Sequence, residues 1–317
     1  MKQLKLFPKR KPYKKGYLQV SKKHKLFYHL YGNPKAKPVL VLHGGPGAGT
    51  KPKHTLYFNP KKYNIILFDQ RGAGKSKPFA SIEENNTWHL VNDINKLLDF
   101  LNIKKTFVFG GSWGSTLALV YAINFPERVA GMLLRGIFLS RKNEYDAFYY
   151  GGTKDHFPEE YNRFVSLVPE KKRNHLVDYY YNKMMRGNPK EKHKFIYEWV
   201  LYEASLLSLK TNPKEIKKSF KTYSWKSLGP LEAHYMKHNC FLKENYIMSH
   251  IKRISHIPTT IVHGRYDFVC TPSSAFELHK KMKKSKLFIT TAGHSSGDGE
   301  TQQVFLKEMK RVENRKW

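Results

Sequence analysis

Gly110-Gly111-Ser112-Trp113-Gly114 directly follows an apolar run at residues 106–109 and precedes a helix-like run at residues 115–125. This order predicts a strand, a sharp turn and a helix, with Ser112 in the turn. A Gly-x-Ser-x-Gly in that context is typical of a nucleophile elbow, in which a strained turn lifts the serine hydroxyl clear of the sheet. The pentapeptide alone is equally compatible with an ordinary loop, because Gly and Ser are common in turns. The flanking strand and helix favour the nucleophile.

Further apolar runs have the length and continuity of strands buried on both faces, at residues 39–42, 65–68, 132–134, 259–262 and 287–290. Helical patterns separate several of these runs, as at residues 88–101 and 115–125. Before them, residues 17–20 and 25–31 predict an antiparallel hairpin. The alternation of strand and helix predicts an α/β fold whose central sheet is mostly parallel and covered on both sides.

The stretch from about residue 140 to residue 250 breaks this alternation. It is rich in Tyr, Trp, His and charged residues, and its periodicity is helical. We therefore expect an inserted helical cap at 140–250, between a first part of the α/β core at 1–139 and a second part at 251–317. The 317 residues are 40% hydrophobic and 14% aromatic, which is enough for a substantial core.

The chain is strongly basic, with 57 Lys and Arg against 25 Asp and Glu, a formal charge of +32. No acidic residue precedes Asp69. Such an excess of positive charge is compatible with nucleic acid or an anionic membrane as a partner. The lysines are dispersed rather than gathered beside aromatic residues, which favours a solvated surface and predicts neither a specific nucleic-acid partner nor a membrane partner. A non-catalytic polyanion-binding protein on a hydrolase scaffold is a remote alternative.

Cysteine usage and the start of the chain bear on compartment and cofactors. Cys240 and Cys270 cannot form a disulfide framework, and their placement suggests no metal pair or redox motif. The basic start lacks an apolar stretch of signal-peptide length, and nothing later approaches the roughly 20 apolar residues of a membrane span. We expect a soluble cytoplasmic protein that needs no metal or organic cofactor.

A serine hydroxyl needs a base to become a nucleophile, and the base needs an acid that fixes its tautomer. In chain order the acid and then the histidine are expected on turns after later strands. The run at residues 259–262 leads into a turn that ends at Asp267, and the run at 287–290 leads into a turn that contains His294. The sequence therefore predicts a triad of Ser112, Asp267 and His294.

The oxyanion formed by attack on a carbonyl needs preorganised backbone donors. One candidate is the amide of Trp113, which follows the nucleophile. The other is Gly45, in the glycine-rich turn His43-Gly44-Gly45-Pro46-Gly47 after the first parallel strand. The turn Asp69-Gln70-Arg71-Gly72 has the wrong spacing for a phosphate loop, and we interpret it as a structural brace beneath the site.

These motifs together resemble the proline iminopeptidases, also called prolyl aminopeptidases, which are peptidases of the α/β-hydrolase fold. The residues that carry the resemblance are His43-Gly44-Gly45-Pro46-Gly47, Asp69-Gln70-Arg71-Gly72, Gly110-Gly111-Ser112-Trp113-Gly114-Ser115, Gly264-Arg265-Tyr266-Asp267 and Gly293-His294-Ser295. The likeness runs from about Lys14 to the C-terminal helix. It implies a serine exopeptidase that releases N-terminal proline from small peptides through an acyl-enzyme.

The cap carries two further stretches that resemble this family. Trp199-Val200-Leu201-Tyr202-Glu203 has Tyr202 where the family has a second Trp, and Glu232-Ala233-His234-Tyr235-Met236 has Met236 where it has a Phe. The resemblance implies that Glu203 and Glu232 bind the free N-terminal amine of the substrate. Two carboxylates facing one apolar pocket are stable together only with a cation between them. Without the resemblance, each Glu is more typical of a helix surface.

The prolyl ring should be held by apolar side chains. Phe138 and Phe148 occupy positions that resemble the family's aromatic pocket wall, and Met236 would complete it with a softer surface. Cys270 is expected beside this pocket. The change from Phe to Met leaves open a broader aminopeptidase or esterase, since the fold and triad determine acyl transfer while the cap determines the substrate. The sequence leaves the oligomeric state open.

Overall fold

The computed structural model describes residues 3–210, 212–221 and 224–315. Its sheet has eight strands: β1 (Lys14–Gln19), β2 (Lys25–Gly32), β3 (Lys37–Leu42), β4 (Tyr63–Phe68), β5 (Thr106–Ser112), β6 (Val129–Ile137), β7 (Thr259–Gly264) and β8 (Ser285–Thr290). Each predicted apolar run lies within one of these strands. The predicted hairpin is the antiparallel pair β1 and β2.

The strands lie in the order β1-β2-β4-β3-β5-β6-β7-β8. In this order, each strand from β4 to β8 is parallel to its neighbours within that range. The pairs β1–β2 and β2–β4 are antiparallel. The carboxyl ends of β3, β5, β6, β7 and β8 therefore meet at one edge of the sheet, where ligands bind in open α/β folds. This is the predicted α/β-hydrolase architecture, with a mostly parallel sheet.

The described helices are α1 (Thr87–Phe100), α2 (Trp113–Asn124), α3 (Lys142–Tyr149), α4 (Pro158–Ser166), α5 (Leu176–Arg186), α6 (Pro189–Leu206), α7 (Pro213–Ser219), α8 (Trp225–Lys237), α9 (Tyr246–His250), α10 (Pro272–Lys281) and α11 (Gly299–Val312). α2 is buried from Trp113 through Ile123, because its sequence is apolar or small on every face. Among the described residues, no helix has the length and apolar character needed to cross a membrane.

Helices α3 to α9 all lie between β6 and β7 in the chain, as expected for an inserted helical cap. Their interior is aromatic: the Phe164 ring stacks on that of Tyr202 with centroids 4.3 Å apart, and Tyr149 stacks on Trp199 at 4.9 Å. This packing joins α3, α4 and α6 and fixes side chains that face the sheet edge. The division of the chain after residues 139 and 250 stays a prediction.

Candidate active site

Ser112 lies at the junction of β5 and α2 with φ 57° and ψ −131°. This left-handed backbone is rare for a residue with a side chain and costs about 1–3 kcal/mol. The turn can adopt this conformation because the residues two positions before and after Ser112 are glycines. A Cβ at Gly114 would overlap the Leu42 carbonyl, and a Cβ at Gly110 would overlap the Gly114 carbonyl. The close packing of these segments holds Ser112 rigidly at the carboxyl edge of the sheet.

Asp267 and His294 are in direct contact, as their places after β7 and β8 predict. His294 Nδ1 lies 2.8 Å from Asp267 Oδ2. The other Asp267 oxygen accepts the amides of Val269 at 3.0 Å and Cys270 at 2.8 Å. Burial opposes ionisation of Asp267, but the facing His294 and the Cys270 amide hold its pKa below the usual value. Asp267 is therefore ionised and orients the His294 ring.

Two residues at the end of β6 support the histidine, and sequence reasoning missed both. Arg135 Nη1 donates a 2.6 Å hydrogen bond to the His294 carbonyl oxygen. A Cβ at Gly136, which has φ +51°, would lie 2.9 Å from Cε1 of His294, so the ring approaches the strand closely only because this residue is glycine. The available sequence signal was a lone arginine in an otherwise apolar strand.

His263 lies beside Asp267, with its Nε2 3.4 Å from Asp267 Oδ2. Its Nδ1 accepts the Ile137 amide at 3.1 Å, so the proton is on Nε2, which donates to the Cys270 carbonyl at 2.7 Å. Burial lowers the pKa of His263 and keeps the ring neutral. The neutral ring holds the turn that contains Asp267 against β6. Because it is uncharged, it does not compete with His294 for an ion pair with the Asp267 carboxylate.

Ser112 and His294 both line a cavity of about 300 Å³, here called the outer cavity, together with Gly45, Lys51, Lys53, Arg135 and Glu203. Within the described part of the chain, no hydrogen bond joins the Ser112 hydroxyl to the His294 ring. Such contacts are often long without substrate and tighten in the Michaelis complex.

The predicted oxyanion donors lie beside Ser112. Gly45 contributes to the cavity wall, and the Trp113 amide is the first of α2, a position without an intrahelical acceptor. Gln70 braces both: its Nε2 donates to the His43 carbonyl at 2.9 Å, and its Oε1 accepts the Trp113 indole N–H at 2.9 Å. The turn that contains Gln70 thus supports the floor of the site, as interpreted from the sequence.

Glu203 of α6 and Glu232 of α8 are brought together in the structure. In the chain 28 residues lie between them, and the sequence pattern of neither helix predicts the contact. The two carboxyl groups share a hydrogen bond. Trp199 Nε1 donates to Glu232 Oε2 at 2.8 Å. Burial raises the pKa of both groups, and the charge of Glu203 raises that of Glu232 further, well above its usual value. The pair therefore shares protons when no cation is present.

Beyond Ser112 lies a second, smaller pocket, here called the inner pocket. It is lined by Gly45, Ser112, Phe138, Glu144, Tyr145, Phe148, Tyr149, Glu203, Glu232, Met236, Val269 and Cys270. The predicted residues Phe138, Phe148 and Met236 are thus brought together at the carboxyl pair. Sequence reasoning missed Tyr145 and Tyr149, which have no motif of their own. Ser112, Gly45 and Glu203 line both spaces.

Glu144 is a third carboxyl group in the inner pocket wall. Its oxygens accept the amides of Leu139 and Arg141, and one also accepts the Ser274 hydroxyl. Burial raises its pKa. These internal donors occupy the group, so it serves to fix the start of α3. In the part of the chain that the structure describes, no group of three or more His, Cys, Asp or Glu residues is placed to hold a metal ion.

Comparison with known proteins agrees with this architecture. Residues 37–300 match the α/β-hydrolase fold family. The chain is 42% identical over 292 residues to a probable proline iminopeptidase of Leptolyngbya boryana, covering 92% of this chain and 91% of that protein. It is 41% identical over 292 residues to the proline iminopeptidase of Neisseria meningitidis (strain MC58), covering 91% and 93%. The chain belongs to the proline iminopeptidase family.

Solved structures support the fold of this proline iminopeptidase family member. An esterase from Exiguobacterium antarcticum has a TM-score of 0.66 at 21% identity, covering 94% of this chain and 99% of that one. The proline iminopeptidase of Mycobacterium smegmatis has a TM-score of 0.60 at 15% identity, covering 95% and 99%. The predicted fold class and the resemblance stated from the sequence are confirmed.

Proposed function

We propose that the chain releases an N-terminal proline from small peptides by a Ser-His-Asp acyl-enzyme mechanism. The observation that carries the proposal is the position of Ser112, which lines both the inner pocket and the outer cavity. The inner pocket holds a buried carboxyl pair and aromatic walls. The outer cavity holds His294. A substrate can therefore place its first residue in one space and its leaving peptide in the other.

The carboxyl pair is the proposed site for the secondary ammonium group of the N-terminal proline. Glu203 and Glu232 can ionise together only when a cation offsets their mutual repulsion and desolvation. Phe138, Phe148 and Met236 provide an apolar wall for the pyrrolidine ring. An N-acylated proline lacks the cation and would leave the pair protonated, so the pocket selects a free amino terminus.

In the proposed chemistry, Ser112 Oγ attacks the prolyl carbonyl while His294 takes the hydroxyl proton. The amides of Gly45 and Trp113 stabilise the oxyanion. His294, held by ionised Asp267, then protonates the departing amine as the peptide C–N bond breaks. Water loses a proton to the same ring and attacks the acyl-enzyme. The ester bond to Ser112 Oγ then breaks, His294 returns the proton to Oγ, and proline is released. The steps require no metal or organic cofactor.

We also propose a reducing, cytoplasmic compartment for this activity, supported by the two free and buried cysteines, Cys240 and Cys270. The proposal includes neither a specific nucleic-acid partner nor a membrane partner, because the lysines are dispersed along the chain.

The proposed function is tested by comparing the hydrolysis of prolyl and alanyl arylamides and of a simple ester. We expect the prolyl substrate to have the highest kcat/KM. Ser112→Ala should retain the fold by circular dichroism and lose at least about 10³-fold in kcat. Comparable rates for all three substrates would favour the broader aminopeptidase or esterase, and substantial peptidase activity in pure Ser112→Ala protein would contradict the assignment of the nucleophile.

A further inference from the structure

The outer cavity differs from the inner pocket in its charge. Among the described residues, the cations Lys51, Lys53 and Arg135 line the outer cavity, whereas no Lys or Arg lines the inner pocket. Of the described residues in the outer wall, only Glu203 is acidic, and its carboxyl group is hydrogen-bonded to Glu232 on the inner side. The inner pocket on one side of Ser112 therefore has only carboxyl groups as its Lys, Arg, Asp or Glu lining, whereas the outer cavity on the other side has three cations.

Lys51 and Lys53 are exposed at the cavity wall, and neither forms an ion pair within the described residues. Arg135 is different, because it already donates to the His294 carbonyl. The lysine ammonium groups thus have their hydrogen-bond capacity available to a ligand in the cavity. No other lysine that the structure describes lines the outer cavity.

The lysines also stand on an anchored segment. The Thr50 amide and hydroxyl both donate to Asp69 Oδ1, at 2.7 and 2.6 Å. Within the segment, the His54 amide donates to the Lys51 carbonyl at 2.9 Å, and the Thr55 hydroxyl donates to the Pro52 carbonyl at 2.8 Å. The backbone is held in place, so binding an anion orders only the lysine side chains.

The local electrostatics favour an anion. Although Lys53 keeps access to solvent, the surrounding protein partly desolvates it, which lowers its pKa, and the charges of Lys51 and Arg135 lower it further. His54, which follows Lys53, has its pKa lowered to about 3 by burial and by the charges of these cations, so its ring is neutral. Within the described ranges, Glu203 is the one acidic residue that lines the same cavity as the lysines. A bound carboxylate would relieve this repulsion among cations.

We propose that Lys51 and Lys53 bind a carboxylate of the leaving peptide, and so make the protein favour substrates with an anionic group just after the scissile bond. The inference rests on the proposed function. Two sources offer this chemistry: the C-terminal carboxylate of a dipeptide and an acidic side chain on the second residue. In a dipeptide the carboxylate belongs to the residue that follows proline, about 3.8 Å further along the Cα trace.

The test measures kcat/KM for Pro-Ala, Pro-Ala-amide and Pro-Glu-amide at low salt. We expect Pro-Ala to exceed its amide by about tenfold, as for a charge-assisted hydrogen bond. Pro-Glu-amide should regain part of this preference if the site accepts a side-chain carboxylate. If Pro-Glu-amide behaves as Pro-Ala-amide, the site takes only the terminal carboxylate. Equal values for all three substrates would overturn the inference.

Variants assign the preference to the lysines. Lys51→Gln/Lys53→Gln should reduce the ratio of Pro-Ala to Pro-Ala-amide to about one, and Lys53→Glu should invert it. Lys61→Gln is the matched control, an exposed lysine that does not line the cavity, and should keep the wild-type ratio. An unchanged ratio in the double variant would contradict the assignment.

Ionic strength supplies a test on the wild type alone. Between about 0.01 M and 1 M salt the Debye length falls from about 30 Å to 3 Å, which should weaken the preference for Pro-Ala over its amide. A prolyl arylamide separates the two proposals. If wild type does not cleave the prolyl arylamide, the proposed function fails. If wild type cleaves it but has equal kcat/KM for Pro-Ala and Pro-Ala-amide, only the lysine site fails.

Discussion

The indole of Trp199 and the carboxyl group of Glu232 are joined by a hydrogen bond of 2.8 Å between Nε1 and Oε2. Trp199 is itself fixed by stacking on Tyr149, with ring centroids 4.9 Å apart. The aromatic interior of the cap therefore sets the position of an ionisable group that faces Ser112. Trp199 lines neither pocket, so any effect on recognition of the amine would pass through Glu232.

Replacing Trp199 should weaken recognition of the amine. Trp199→Phe keeps an aromatic ring in the stack but removes the donor, which leaves the Glu232 carboxylate less stabilised. We expect kcat/KM for a prolyl arylamide to fall about tenfold, mainly through KM. Trp88→Phe is the control, because the Trp88 indole donates to the Phe241 carbonyl away from both pockets. Equal effects of the two substitutions would show that the Trp199 donor has no role.

The carboxyl pair should make the unliganded protein less stable as pH rises. Burial and the charge of Glu203 raise the pKa of Glu232, so between the usual carboxyl pKa and this raised value the native state binds more protons than the unfolded state. Stability is therefore lost as pH rises through that window. Glu232→Gln removes this loss and should raise Tm at neutral pH, by about 1–2 °C for each kcal/mol recovered.

Thermal melts of wild type and Glu232→Gln from acid to neutral pH check this expectation. The two proteins should converge at about pH 4, near the usual pKa of a glutamate, and diverge above it. Parallel Tm curves across the whole range would contradict the raised pKa.

Asp267 should be essential for turnover but not for binding. Asp267→Asn removes the charge that fixes the His294 tautomer, and a loss of about 10³–10⁴ in kcat is expected with little change in KM. The exposed Asp155 lines neither pocket, and Asp155→Asn should leave kcat unchanged. A kcat for Asp267→Asn within tenfold of wild type would show that another residue orients the base.

Cys270 should make the protein sensitive to bulky thiol reagents by obstruction of the inner pocket. Burial raises its pKa well above the usual value, so alkylation by N-ethylmaleimide should be slow at neutral pH and faster in alkali. Proline should protect by occupying the pocket. Cys240 is completely buried and its pKa is raised to about 12, mainly by burial, so it should not react. Sensitivity that persists in Cys270→Ser would contradict this account.

Local patterns in the sequence predicted individual strands and helices well, because each of these elements has its own apolar run or periodicity. The apolar runs before Ser112, Asp267 and His294 are β5, β7 and β8, and their parallel arrangement brings all three turns to one edge. Helix α2 was predicted from residue 115 but begins at Trp113, because the strained backbone of Ser112 lets the helix start at once. The placement of β4 outside β3 had no local signal.

The parts of the site that depend on distant contacts could not be predicted from spacing. Arg135, Tyr145 and Tyr149 reach the pockets through packing of β6 and α3, and none belongs to a motif. Glu203 and Glu232 were predicted only through the family resemblance, since their contact depends on how α6 packs against α8. The lysines at the outer cavity were indistinguishable in sequence from the many others of this basic chain.

We propose that the carboxyl pair anchors a free prolyl amine beside Ser112. The measurement that tests this anchor is kcat/KM for a prolyl arylamide and its N-acetyl form, with wild type and Glu232→Gln. Wild type should prefer the free amine by at least about 10²-fold, because acylation leaves the buried pair without its cation, and the variant should lose most of that preference. Equal cleavage of both substrates by wild type would contradict the amine anchor while leaving the nucleophile in place.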